Sequence, residues 1–161
     1  MRVVIMALVL VTAVPAANAE TPEEWIALGT RVHGFFGGFI PVGIRIGLDA
    51  LDRLKAKPRG VMVTYWKGEK AVCPCVLDGV MLAANASPGQ GTVVLRPESA
   101  PPGDYAVIVI RDRKTSAGLK YTISLDQQPR MLSWNKQPPL ARYDAAMRGD
   151  GLYTVVPAPP P

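Results

Sequence analysis

The chain has 161 residues, a net charge of +5 at neutral pH, two cysteines and a single histidine. That length suits one domain with a real core, and two cysteines are too few to build a disulfide scaffold. The positive charges are scattered and no basic run is interleaved with aromatics, so nucleic acid is not an expected partner.

Residues 1–19, "MRVVIMALVLVTAVPAANA", carry a lone Arg2, an uncharged apolar run from Val3 to Ala16, and a small-x-small ending at Ala17-Asn18-Ala19. This is the pattern of a secretory signal peptide. The run is shorter than the ~20 residues that span a bilayer. Cleavage after Ala19 leaves no transmembrane anchor, because charges interrupt every later apolar run. The expected location is therefore the periplasm or the exterior, where thiols meet oxidising conditions.

The expected domain runs from 20 to 156. "TPEEWIALGTRVHG" starts a helix: Thr21 caps, Pro22 suits the first turn, and Glu24 completes a capping box. Trp25, Ile26, Leu28 and Val32 give it an apolar side. The glycine-rich "HGFFGGFIPVG" then forms a turn that lets backbone approach something closely. From Pro41 a second helix carries Ile44, Leu48, Leu51 and Leu54 at helical spacing, with Asp49 placed to pair with Arg53 and a stop at Pro58.

"GVMVTYW" reads as a strand by its β-branched and aromatic content. Pro74 to Ala86 forms a third helix, apolar almost all round and so expected to be buried. "TVVLRP", "DYAVIVIRD" and "GLKYTISL" are three more strands, "PPLARYDAAMRG" a further helix and "LYTVV" a last strand. Residues 157–161 form a proline-rich tail expected to be disordered. The sum is an α+β domain with a largely antiparallel sheet, in which one buried helix carries a Cys-x-x-Asp motif.

Few residues can carry chemistry. His33 sits where the first helix gives way to the glycine turn, a setting that suits a pocket. Cys73 falls at the cap of the third helix and Cys75 in its first turn, with Pro74 at the first helical position. Thiols so placed gain thiolate character from the helix dipole and free N–H groups. A disulfide, a redox pair and a metal clip all remain open for them. Asp78 follows three residues after Cys75 on the same helix face and is the one charge of that helix; Arg45, a backbone N–H, a metal or a polar ligand could each partner it. Ser87, Gly89 and Gly91 in "NASPGQG" could present backbone donors near the helix end. There is no nucleophile elbow, no phosphate loop, and no acid/base pair at useful spacing.

"HGFFGGFIPVGIR" followed by "CVLDGVMLAANASPGQGTVVL" resembles the FmdE family, named for formylmethanofuran dehydrogenase, over about residues 28–125. His33, Gly34, Gly43 and Arg45 match that family's His-Gly-His-x-Cys-Pro-Gly and Gly-x-Arg pattern. Cys75, Asp78, Gly89 and Gly91 match its Cys-x-x-Asp-Ala and Thr-x-Gly-Lys-Gly pattern, with Ser87 in the threonine position. The family's second histidine is Phe35 here, its first-motif cysteine Gly37 and its proline Gly38, while Cys73 is an addition. The resemblance implies a metal-bearing pocket. In this chain His33, Cys73, Cys75 and Asp78 would hold zinc or copper, Asp78 serving as fourth ligand or as the carboxylate that orients His33. Arg45, Ser87 and Gly89 are the candidate contacts to a small molecule. The alternative is a thiol-redox or ligand-binding accessory using Cys73 and Cys75, with His33 shuttling protons. An exposed edge strand would allow pairing with a second copy.

Overall fold

The computed structural model describes residues 20–160; the expected signal segment 1–19 and Pro161 lie outside the described residues. Helix α1 (Pro22–His33) begins as its sequence dictates, the Thr21 hydroxyl accepting from the Glu24 N–H while the Glu24 carboxylate accepts from the Thr21 N–H. It ends on Gly34 in the left-handed region. Helix α2 (Phe39–Leu54) begins two residues before the expected Pro41. Pro41 is tolerated there because the first N–H groups of a helix have no intrahelical partner to lose. The anticipated Asp49–Arg53 pair forms at 2.8 Å.

Strand β1 (Val61–Lys67) is followed by helix α3 (Cys75–Ala84) and strand β2 (Val93–Leu95), then by β3 (Asp104–Asp112) and β4 (Gly118–Ser124). Helix α4 (Gln128–Ser133), helix α5 (Pro139–Arg148) and strand β5 (Thr154–Pro157) complete the order. The sheet runs β2-β1-β3-β4-β5. β2 lies parallel to β1, and the other three pairings are antiparallel. The class is α+β. The parallel pair needs a crossover, and α3 supplies it; this sets the N-terminus of α3 beyond the carboxyl end of β1. Among the described residues, no helix is long and apolar enough to cross a membrane.

Two departures concern the C-terminal part. α4 has no periodic signature in the sequence, yet it puts Met131 into the core, and Trp134 follows just after it. Pro157, expected to start a loose tail, pairs with Leu119, and the Ala158 N–H donates to the Gly118 carbonyl at 2.8 Å.

Val61, Val63 and Tyr65 alternate along β1 onto the face covered by α2 and α3, and all three are inaccessible to solvent. α2 is buried on two sides. Phe39, Val42, Ile46 and Ala50 join the sheet-side core, whereas Ile40 and Ile44 pack with Trp25 and Phe36 in a second cluster beneath α1. α2 is thus the middle layer of three.

α2 and α3 touch backbone to backbone. A Cβ on Gly43 would lie 2.0 Å from the Val76 carbonyl oxygen, and one on Gly79 would lie 2.0 Å from that of Ile40. No rotamer relieves such contacts, so the helices would have to part. Gly43→Ala and Gly79→Ala are each expected to lower stability by about 3 kcal/mol, read as a lower urea midpoint at unchanged slope. Gly89→Ala, whose new methyl would meet only the Ser87 hydroxyl at 3.9 Å, should leave the midpoint nearly unchanged.

Candidate functional site

His33 ends α1, and Cys73 and Cys75 flank Pro74 where α3 begins. The close contact of α2 with α3 and the packing of α1 on both bring these ends together. His33, Cys73 and Cys75 line one open hollow of about 200 Å³, walled by Phe35, Phe39, Ile40, Val72 and Leu132. His33 Nδ1 lies 2.7 Å from Asp78 Oδ2, the two side chains being 30 % and 31 % exposed. Asp78 thus meets the partner that one reading of the sequence assigned it, and orients the imidazole. Nδ1 is the only His33 ring nitrogen engaged by a hydrogen bond among the described residues.

The two sulfurs are bonded to each other, with S–S 2.02 Å and Cα–Cα 5.3 Å. In this state His33, Cys73, Cys75 and Asp78 do not form the expected ligand set. Neither sulfur is a thiolate, and Asp78, whose Oδ2 is taken by His33, does not line this hollow but an adjoining one with Val32, Met81 and Asn85. Among the described residues, no group of three or more His, Cys, Asp or Glu is arranged to hold a metal ion. The helix also starts one step later than expected. Pro74 occupies the cap and Cys75 the first helical position, so Cys73 lies just outside α3.

Arg45, Ser87 and Gly89 are not brought to this hollow. The Arg45 guanidinium donates to the carbonyls of Ala146, at 2.8 Å, and of Gly149, and it lies 5.4 Å over the Tyr153 ring. Its work is to satisfy carbonyls at the end of α5. The Ser87 hydroxyl caps the 3-10 turn Pro88–Gln90 by accepting from the Gln90 N–H, and Gly89 sits inside that turn, at the far end of α3.

Five residues that shape the site went unread in the sequence. Tyr105 donates its hydroxyl to the Cys73 carbonyl at 2.7 Å, and the same oxygen lies 3.6 Å from Cys73 Sγ. Its ring stacks on Phe39 at 5.2 Å. Burial pushes the Tyr105 hydroxyl up in pKa, and its bond to the Cys73 carbonyl offsets part of this. Tyr65 is wholly buried, and its hydroxyl finds no hydrogen-bond partner among the described residues. Burial chiefly, then the nearby Tyr105 and Asp78, raise its pKa strongly. In the sequence both tyrosines read only as strand formers.

The other three come from the segment after the sheet. Gln128 accepts from the Val72 N–H at 3.0 Å and holds the cysteine loop; Asn135 accepts from the Gly38 N–H at 2.9 Å and holds the histidine loop. Arg142 is buried and donates to the carbonyls of Phe36, Asn135 and Gln137 at 2.6, 3.0 and 2.8 Å. Its guanidinium also lies 4.7 Å over the Phe35 ring. A buried cation that ties the Phe36 carbonyl to two carbonyls of the turn after α4 is a clamp.

The sequence matches the family described as FmdE, molybdenum formylmethanofuran dehydrogenase operon, over residues 32–147. That span takes in more than half of the chain and every residue lining the hollow. The chain belongs to the FmdE family. A search of curated proteins returned no match. The FmdE span runs past β4 to α5, so the Arg142 clamp falls within the family's domain.

Arg142→Ala strands three carbonyls and is expected to lower stability by about 3 kcal/mol, with Arg142→Lys recovering less than half of it; urea unfolding measures both. Tyr65→Phe removes an unpartnered hydroxyl and should leave stability unchanged or raise it by about 1 kcal/mol. A drop in urea midpoint would show that the hydroxyl is bonded after all.

Proposed function

We propose that this FmdE domain is exported and that its hollow is a thiol–disulfide site, whose reduced form binds zinc or copper. The observation that carries the reading is convergence: the chain's one histidine and both of its cysteines line the same hollow.

The disulfide adds little to the fold. A ring closed over three residues restricts the unfolded chain by only about 1.6 kcal/mol, against about 3 kcal/mol for a fifteen-residue loop. The bond is therefore better suited to opening and closing than to stapling. An external dithiol of a partner protein is the co-reactant. Its thiolate attacks Cys73 Sγ, the Cys73–Cys75 bond breaks, and the electron pair leaves on Cys75. Cys75 opens α3, where the dipole and free N–H groups stabilise a departing thiolate. The partner's second thiol then displaces Cys73, leaving the partner oxidised and the domain with two thiols. His33, held through Nδ1 by Asp78, takes the proton of the incoming thiol and returns it to a cysteine. Run backwards, Cys73 attacks a partner disulfide and Cys75 resolves it.

The carboxylate–imidazole pair favours the metal-binding half of the reading. Metal-bound histidines commonly donate their second ring nitrogen to a carboxylate. In the reduced domain, the His33 Nε2 and two thiolates are a donor set that suits zinc, or copper(I) still better. The role would be metal handling, or service as an accessory protein.

Alkylation mass spectrometry with and without reductant, beside elemental analysis, tests both halves. The oxidised protein should take up no alkyl group and no stoichiometric metal. The reduced protein should take up two alkyl groups, or one metal ion that Cys73→Ser with Cys75→Ser abolishes. His33→Gln should slow opening of the disulfide by an external dithiol about a hundredfold, without changing alkylation stoichiometry. A disulfide that no thiol reductant opens in the folded protein overturns the reading. Metal retained by the double serine variant overturns its metal-binding half alone.

A further inference from the structure

The strongest unexplained charge lies at the other end of β1 from the disulfide, roughly 20 Å away by strand length. There Lys57, Arg59, Arg113 and Lys114 line an open hollow of about 510 Å³ between the α2–β1 loop and the β3–β4 turn. No salt bridge involves any of the four among the described residues. Arg53, Lys55, Arg96 and Arg148, by contrast, each have a carboxylate oxygen within 3.1 Å. One carboxylate beside the hollow is Asp112. Its Oδ1 accepts from the Lys114 and Thr115 N–H groups and from the Thr115 hydroxyl. Its charge, felt by Lys114, offsets one of the four cations and leaves the hollow strongly positive.

The backbone that carries these cations is fixed. Arg113 donates its N–H to the Gly60 carbonyl at 2.9 Å, stitching the two segments together, and the Arg59 N–H donates to the Ala84 carbonyl at 2.8 Å. Arg59 itself is held in the left-handed region, at φ 67, a conformation that a non-glycine residue adopts only when its surroundings enforce it. The negative ends of α2 and α3 account for some positive charge nearby. They do not account for Arg113 and Lys114, which arrive from a β-turn.

We propose that this basic hollow binds a phosphate-bearing anion, either a lipid headgroup or a soluble phosphate compound. Four like charges brought to one concave surface repel one another, and a multiply charged anion relieves that repulsion at four points at once. The site is independent of the thiol hollow and stands whether or not the latter exchanges disulfides.

Two probes separate the sources: vesicles of about 30 % phosphatidylglycerol in phosphatidylcholine, and inorganic pyrophosphate by calorimetry, both with full-length protein at about 50 mM salt. Pure phosphatidylcholine vesicles subtract binding that needs no anionic headgroup, and the hollow and control variants share whatever residues 1–19 contribute. Lys57→Gln with Lys114→Gln changes two side chains that make no hydrogen bond, so the fold should survive. It should weaken binding about thirtyfold. Lys70→Gln with Lys136→Gln removes the same net charge elsewhere and should change it less than about threefold. Arg59→Gln with Arg113→Gln should repeat the loss. Selective loss on vesicles alone assigns a headgroup, and selective loss on pyrophosphate assigns a soluble phosphate compound. Failure of the wild type to bind either probe, or equal loss in the hollow and control variants, overturns the proposal.

Discussion

Everything at the thiol end of the molecule depends on how closely α2 and α3 approach. The Val76 carbonyl, one residue after Cys75, rests against Gly43, and the Ile40 carbonyl rests against Gly79. A methyl group at either glycine would push the helices apart. Because Ile40 lines the hollow and Cys75 opens α3, the same contact sets the distance between the two sides of the site. The interior behaves here as a close-packed solid, in which a displacement at the glycines is carried to the helix ends rather than absorbed.

The crossover supplies the second constraint. β1 and β2 are parallel, so the chain must leave β1 at its carboxyl end and return through α3. The N-terminus of α3, with its unpaired N–H groups, therefore lies beyond the sheet rather than over it, and the cysteines sit where the helix dipole is positive. α1 and the glycine turn then need only deliver His33 to that same place, and the buried Arg142 holds the turn there.

Much of this was legible in the sequence. The β-branched and aromatic run of β1, the capping box at Thr21, and the apolar character of α3 each have a local cause, and each appears where its residues lie. The nearness of His33 to Asp78 and Cys75 follows from two motifs in the right order, whereas Cys73 belongs to neither motif. What was not legible depends on partners distant in the chain. Arg45 sits within a motif, but its donors go to carbonyls about a hundred positions away, so nothing near it in sequence discloses a capping role. Arg142 looks like one more surface cation on a polar helix until Phe36 is folded against it. α4 is too short to show a period, and Gln128 and Asn135 act through single side-chain acceptors. The parallel register of β2 is likewise a property of the crossover rather than of "TVVL".

The segment that bears the cysteines is anchored at almost every step by something other than its sulfurs. Val72 is tied to Gln128, the Cys73 carbonyl to Tyr105, and the Pro74 carbonyl to the Leu77 N–H. Breaking the sulfur–sulfur bond changes the covalent connectivity of the chain yet leaves each of these moorings in place. The oxidised and reduced proteins should therefore share nearly one shape, and a switch between them needs almost no rearrangement of the polypeptide.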